Sequence, residues 1–232
     1  MRYGEIRRAV FLERPNRFVA RVRLEDGGET VVHVKNTGRC RELLLPGVPV
    51  ILAKGENPGR RTAWDLVGVY KRGAFFNIDS QAPNRVAAEW LAAGGYDGIH
   101  FDAVKPEYRI GASRIDFCME RAGERYLMEV KGCTLERDGI GYFPDAPTER
   151  GTKHLRELTE AVRLGYRCAA AFVIQTEGVT EVLPNRETDP AFGEALDRAR
   201  DAGVRVLFLP CRVWESGIEA LLCGNGERQM ND

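Results

Sequence analysis

Residues 113–131, SRIDFCMERAGERYLMEVK, read as two strands joined by a tight turn. RIDFCME and RYLMEVK carry the β-branched and aromatic residues that favour strands, and Ala122-Gly123-Glu124 supplies the turn. Successive side chains in a strand point to opposite faces, so Glu129 and Lys131 share one face. Asp116 joins them when the hairpin register sets it opposite. Two carboxylates and an ammonium beside an apolar sheet form a candidate divalent-metal site. Asp116 and Glu129 would supply oxygens to Mg²⁺, with Mn²⁺ as the alternative, and Lys131 would stand beside a reacting phosphate. A solvent-facing row of charges has the same spacing, and an E-x-K triplet alone carries little weight.

The 232 residues suit one large domain or two modest ones, and 29% charged with 44% hydrophobic residues is a globular composition. No apolar run reaches membrane-spanning length, and the first residues lack a signal-peptide core, so the expected location is cytoplasmic, with no membrane partner. The six cysteines (Cys40, Cys118, Cys133, Cys168, Cys211, Cys223) include no CxxC pair and read as buried free thiols. The net charge of zero hides an asymmetry. Residues 1–80 hold 15 Lys and Arg against 9 Asp and Glu, and residues 81–232 hold 19 against 25. A basic first part suits phosphates and an acidic second part suits cations, although ordinary solvated charge also produces such a split.

From Phe18 to Asp79 about five short β-runs are separated by glycine-rich turns, which predicts an OB-like β-barrel over residues 1–80. Arg14, Asn16 and Arg17 cluster before the first of these runs. Asn36-Thr37-Gly38-Arg39-Cys40-Arg41 is a polar turn with two arginines. Both are candidate phosphate contacts. Trp64, Phe75 and Phe76 are candidates for base stacking, with burial in the barrel core as the alternative. The composition changes near residue 80. PNRVAAEWLAAGG has helical spacing, with Asn84 as a candidate N-cap and Glu89 inside the helix. The order over 81–232 is then helix, three strands, helix, strand, helix, strand, an α/β domain. The long charged loop 133–151 precedes the helix ERGTKHLRELTEAVRLG, whose stripe is Leu155, Leu158 and Val162, with Lys153, His154, Glu157 and Glu160 on the other side. CAAAFVIQ reads as a strand buried on both faces and ends at Gln175. The tail after Trp214 is polar and is expected to be loosely held. No nucleotide-binding glycine loop, serine-nucleophile elbow or zinc motif is present.

Asp116 on one strand and Glu129-x-Lys131 on the next, in this order of elements, resemble the PD-(D/E)xK nuclease core. That resemblance implies Mg²⁺ on Asp116 and Glu129, a water-activating role for Lys131, and completion of the site by a helix glutamate, the place Glu89 occupies. The whole chain resembles the sugar fermentation stimulation protein A (SfsA) family. RPNRF (14–18), HVKNTGR (33–39), PN (83–84), SRIDF (113–117), EVKGCTL (129–135), FPDAPTERGTKHLREL (143–158) and DP (189–190) carry that likeness. It implies a two-domain α+β chain, an N-terminal OB-like barrel followed by a nuclease-like domain, with DNA as partner.

The leading expectation is therefore a DNA-binding protein with an Mg²⁺-dependent site for phosphodiester hydrolysis. Asp116, Glu129, Lys131 and Glu89 form the catalytic set, and Gln175 assists. Arg14, Asn16, Arg17, Asn36, Arg39, Arg114, Arg150 and Lys153 are the nucleic-acid contacts. The alternatives are a non-enzymatic DNA-binding regulator of sugar (maltose) metabolism on a nuclease scaffold and, ranked lower, a carbohydrate-binding module.

Overall fold

The computed structural model describes residues 1–36, 38–55, 59–111 and 113–222. Thr37 and Cys223, both singled out above, lie outside them. Five strands form the first domain: β1 (Ile6–Asn16), β2 (Val19–Leu24), β3 (Glu29–Val34), β4 (Pro49–Lys54) and β5 (Trp64–Lys71). β1 pairs antiparallel with β2 and β4, β2 with β3, and β4 with β5. Parallel pairing of His33 with Asp65 and Val34 with Leu66 closes the barrel between β3 and β5, as in an OB fold. β6 (Ala74–Asn77) extends β5 beyond the barrel.

β1 is a strand that the sequence reading did not contain, since it started the barrel at Phe18. Only Ala9 and Phe11 of β1 are fully buried. A register shift between Phe11 and Glu13 then breaks the two-residue alternation by which strands are recognised. Arg14 and Asn16 consequently end this strand rather than precede the first one. Trp64 and Phe76 belong to the barrel core, and Phe75 packs on Tyr70 at 5.0 Å between ring centroids, so these aromatics do not form a stacking platform.

The second domain comprises α1 (Ala82–Ala92), β7 (Ala103–Ile110), β8 (Ser113–Arg121), β9 (Glu124–Cys133), β10 (Leu135–Arg137), β11 (Ile140–Phe143), α2 (Glu149–Arg163), β12 (Arg167–Ile174), β13 (Val182–Pro184), α3 (Pro190–Asp201), β14 (Arg205–Trp214) and β15 (Gly217–Ala220). The main sheet has the order β15-β14-β12-β9-β8-β7, with β12 parallel to both β9 and β14. α1 lays Val86, Ala87 and Trp90 on one face, against Phe117, Met128, Val130 and Ala171. α2 and α3 cover the other, where Leu155, Leu158 and Leu196 meet Cys118, Leu127 and Phe172. All but the first residue of β12 are buried, as a strand covered on both faces requires.

Three further expectations change. Asn84 is not the cap of α1, which follows Gln81 without a side-chain cap and has Pro83 in its first turn. The segment 133–151 contains the β10–β11 hairpin, turned at Asp138-Gly139 with both φ positive, and β13 pairs parallel to β11. The tail after Trp214 is held at least as far as β15, which pairs with β14. The five described cysteines are buried free thiols.

A buried polar seam joins the domains. Asn77 N donates to Gln175 O at 2.9 Å, and Gln175 Nε2 donates to Asn77 Oδ1 at 3.0 Å and to Asp79 O at 3.1 Å. Asp79, fully buried, receives Lys35 Nζ at 3.1 Å and the Tyr3 hydroxyl at 3.2 Å. The first residues cross to the second domain, where Tyr3 N donates to Ser216 O at 2.8 Å.

Candidate functional site

The β8–β9 hairpin turns through Ala122 and Gly123, both at positive φ, and its antiparallel ladder runs from Arg121–Glu124 to Phe117–Met128. One residue further, this register sets Asp116 opposite Glu129. There the Asp116 carboxylate is held by one backbone and one side-chain donor: Oδ2 accepts from Val130 N at 2.8 Å, and Oδ1 accepts from Asn84 Nδ2 at 2.9 Å. Glu129 and Lys131 share the α2 face of the sheet, and Lys131 Nζ donates to Glu129 Oε1 at 2.6 Å. Glu129 and Lys131 thus meet on one face, as two residues of a strand at this spacing do.

A residue assigned to the polar side of α2 enters this cluster. His154 is buried, and its Nδ1 contacts the same Glu129 Oε1. Arg150 Nε points to His154 Nε2 at 3.5 Å, which favours the tautomer with the proton on Nδ1, donated to Glu129. The signal was present in the sequence. Gly151, His154, Leu155 and Leu158 fall at i, i+3, i+4 and i+7, one face of a helix. A stripe drawn from Leu and Val alone passes beside the histidine.

The two carboxylates differ electrostatically. Burial, then the neighbouring Glu129 charge, raises the pKa of Asp116 above the ordinary carboxylate value. Burial also acts to raise Glu129, but the His154 hydrogen bond and the Lys131 charge outweigh it, and Glu129 titrates below the ordinary value. Glu129 Oε2 is buried without a hydrogen-bond partner. An unpartnered carboxylate oxygen beside a second carboxylate suits a hard cation. Among the described residues no group of three or more His, Cys, Asp and Glu side chains is arranged to hold a metal ion. A cation here would rest on Asp116 and Glu129 and take its other ligands from water and substrate, a common arrangement for Mg²⁺.

Glu89 is not brought to this cluster. Its Oε2 accepts from the amino terminus of Met1 at 2.6 Å, which also donates to Ile218 O on β15. That strand is three places from β9 in the sheet, roughly 14 Å at the usual strand spacing. Asn84, from the first turn of α1, is the helix residue that reaches Asp116. Gln175 serves the domain seam, and its Oε1 and the Pro83 ring occupy the space that a Cβ at Gly132 would need.

The expected nucleic-acid contacts divide into scaffold and surface. Arg14 donates from Nη1 to Gly38 O and Arg39 O, both 2.9 Å, and from Nη2 to Arg17 O at 2.8 Å and Asn36 O at 2.7 Å. Asn36 accepts from Gly38 N at 2.7 Å and donates to Ile78 O at 2.9 Å, while Asn16 accepts from Phe18 N at 2.9 Å. These three residues shape the loops. Arg17 and Arg39 are exposed on them, with Arg17 4.9 Å from the Phe18 ring centre. A Cβ at Gly38 would lie 2.8 Å from Asp145 Oδ2, so this barrel loop abuts the segment entering α2. Arg150 and Lys153 are exposed on the first turns of α2, Lys153 lying 3.6 Å from Glu157. Arg114 is exposed on β8 and pairs with Glu107 at 3.1 Å.

Two family models match the chain: the SfsA N-terminal OB domain at residues 12–78 and the sugar fermentation stimulation protein RE domain at residues 81–217. A sugar fermentation stimulation protein homolog of Desulfitobacterium hafniense strain Y51 is 49% identical over 220 residues, covering 95% of each chain. One from Clostridium perfringens strain 13 is 48% identical over 224 residues, covering 95% of this chain and 97% of its own. Among solved structures, Pyrococcus furiosus SfsA in complex with Ca²⁺ matches with a TM-score of 0.82 at 27% identity, over 95% of each chain. With both domains matched in order and relatives near half identity along almost their full length, the chain belongs to the sugar fermentation stimulation protein family.

Proposed function

We propose that this protein is a divalent-cation-dependent nuclease acting on DNA, with Asp116, Glu129 and Lys131 as its reactive centre. The observation that carries the reading is the convergence of Asp116 and Glu129 beside Lys131, with Glu129 Oε2 buried and unpartnered. The Ca²⁺ in the Pyrococcus furiosus relative supports a cation in this family. Mg²⁺ is the cation we assign to this chain, with Mn²⁺ as a substitute.

A cation held by Asp116 and Glu129 would polarise a phosphoryl oxygen and acidify a bound water. The protein's own groups do the rest. The backbone N–H of Val130 and the Asn84 amide fix Asp116, and His154 fixes Glu129 from behind. Lys131, 15% exposed, presents its ammonium at the mouth of the cluster, where it offsets the negative charge that develops on a phosphate under attack. Arg17, Arg39, Arg150 and Lys153 offer exposed charge for the phosphate backbone, with Arg114 on β8. The cytoplasm is the compartment consistent with a nucleic-acid substrate, and no helix among the described residues is long and apolar enough to cross a membrane.

One observation favours a second reading. Among the described residues two carboxylates converge rather than three, since Glu89 is engaged elsewhere. A nuclease scaffold that binds DNA without cutting it, as a regulator would, needs no more. Incubation of single- and double-stranded DNA and RNA with Mg²⁺ or Mn²⁺, wild type beside Glu129→Ala, separates the two. Cleavage by the wild type that disappears in the variant establishes the nuclease. Salt-dependent DNA binding by both, with no cleavage by either, favours the regulator.

A further inference from the structure

A second concave surface lies where the barrel meets the first turn of α1. The cavity measures about 570 Å³, and six cations line it: Arg2, Lys35, Lys54, Arg60, Arg61 and Arg85. Three of them are matched by carboxylates: Lys35 by Asp79 at 3.1 Å, Lys54 by Glu5 at 2.6 Å, and Arg60 by Asp65. Arg2 lies 5.9 Å from the Trp214 ring centre. Arg61 and Arg85 are exposed and make no ion pair with any described residue. Among the described residues the cavity thus keeps an excess of positive charge, which concentrates anions.

Its lining also restricts the kind of anion. Among the described residues its aromatic side chains are Tyr3, whose hydroxyl is bound between Asp79 and Asn77, and His33, whose Nδ1 contacts Asp65 Oδ1 at 2.9 Å. Both rings are tied to carboxylates of the wall, whereas the six cations present the donors that recognise phosphate. Position adds the second argument. Gln81 and Arg85, one helical turn apart, face the cavity, while Asn84 between them holds Asp116 of the carboxylate site. Lys35, in the cavity wall, leads directly into the loop that abuts Asp145.

We infer that this cavity is a second binding site, which holds backbone phosphates of the nucleic-acid strand whose reacting phosphate lies at Asp116, Glu129 and Lys131. The inference rests on the nuclease reading and adds to it a path for the strand, across the first turn of α1 and onto the barrel. Recognition through phosphates alone makes this part of binding independent of base sequence.

The test is binding of a short, fluorescently labelled single-stranded DNA oligonucleotide in EDTA, followed by polarisation across a salt series. Wild type is compared with the double variant Arg61→Gln/Arg85→Gln and with Arg200→Gln on α3, each checked by its melting temperature. The double variant is expected to bind about tenfold more weakly, with a log–log salt slope shallower by about 1 for each phosphate it no longer neutralises. Arg200→Gln should behave as wild type. Unchanged affinity and slope in the double variant would overturn the cavity assignment while leaving the nuclease reading intact, as would an equal loss in Arg200→Gln. Displacement of the oligonucleotide by an equal concentration of a deoxynucleoside monophosphate would mark a mononucleotide site and overturn the strand path. Failure of the wild type to bind any oligonucleotide, in EDTA and again with Ca²⁺ in its place, would overturn both readings.

Discussion

His154 Nδ1 and Lys131 Nζ meet on the same oxygen of Glu129, Oε1, and leave Oε2 buried without a partner. Two donors on one oxygen fix the carboxylate and aim the other oxygen. Removing the imidazole should therefore affect metal binding before it affects the chemistry of the lysine. His154→Ala is expected to weaken Mn²⁺ binding by about 10- to 100-fold, the usual effect of losing a hydrogen-bond partner behind a metal ligand. His154→Gln, which keeps a donor, should recover part of that loss. Calorimetric titration of the three proteins checks the order.

Partial burial and the neighbouring Glu129 charge both disfavour the ionised form of Asp116. Asp116→Asn removes the repulsion and keeps both hydrogen bonds if the Asn84 amide turns over. In buffer free of divalent cations at neutral pH, the variant should be more stable than wild type by on the order of 1 kcal/mol, a melting shift of about 2–4 °C. The same variant should lose cation binding. A lower melting temperature would show that the Asp116 carboxylate is needed for structure.

Away from the carboxylate site, Asp65 gives a pH-dependent prediction. Burial acts to raise its pKa, but hydrogen bonds from Arg60 and His33 outweigh this and hold it below the ordinary value. A carboxylate depressed in the folded state adds stability above its unfolded pKa, about 3.9, and that stability is lost as pH falls through the folded value. Asp65→Asn should thus cost on the order of 1–3 kcal/mol at pH 7, and wild type and variant should converge in acid. Denaturant melts from about pH 7 down to about pH 2 read this directly.

The two kinds of arginine in the barrel loops should separate in experiment. Arg14 satisfies four backbone carbonyls, so Arg14→Ala is expected to destabilise by about 1–3 kcal/mol. Arg39 is exposed, and Arg39→Ala should leave stability within about 0.5 kcal/mol while weakening DNA binding and reducing its salt slope. Equal stability losses in both variants would contradict this division.

Much of this arrangement is legible in the sequence because strands and helices print their buried faces at fixed periods. Glu129 and Lys131 are two residues apart in a strand, so their shared face follows from the pleat alone. Asp116 needed only the hairpin register, which the Ala122-Gly123 turn fixes. The features that escaped depend on tertiary packing that no local period encodes. Glu89 has the right helix and the wrong end of it, because the amino terminus folds back to claim its carboxylate. Arg14 looks like a surface cation until the loop carbonyls close around it. The register shift in β1 erases the alternation that would mark it as a strand. The basic cavity draws on the amino terminus, three parts of the barrel and α1, so no single stretch announces it.

We assign one divalent cation to Asp116 and Glu129 together. Titration of Mn²⁺ or Mg²⁺ into the folded protein, followed by calorimetry, tests this without assuming a substrate. One saturable site per chain is predicted, lost in both Asp116→Asn and Glu129→Gln and retained in Glu89→Gln. Absence of binding in the wild type, or undiminished binding in Glu129→Gln, would contradict the assignment.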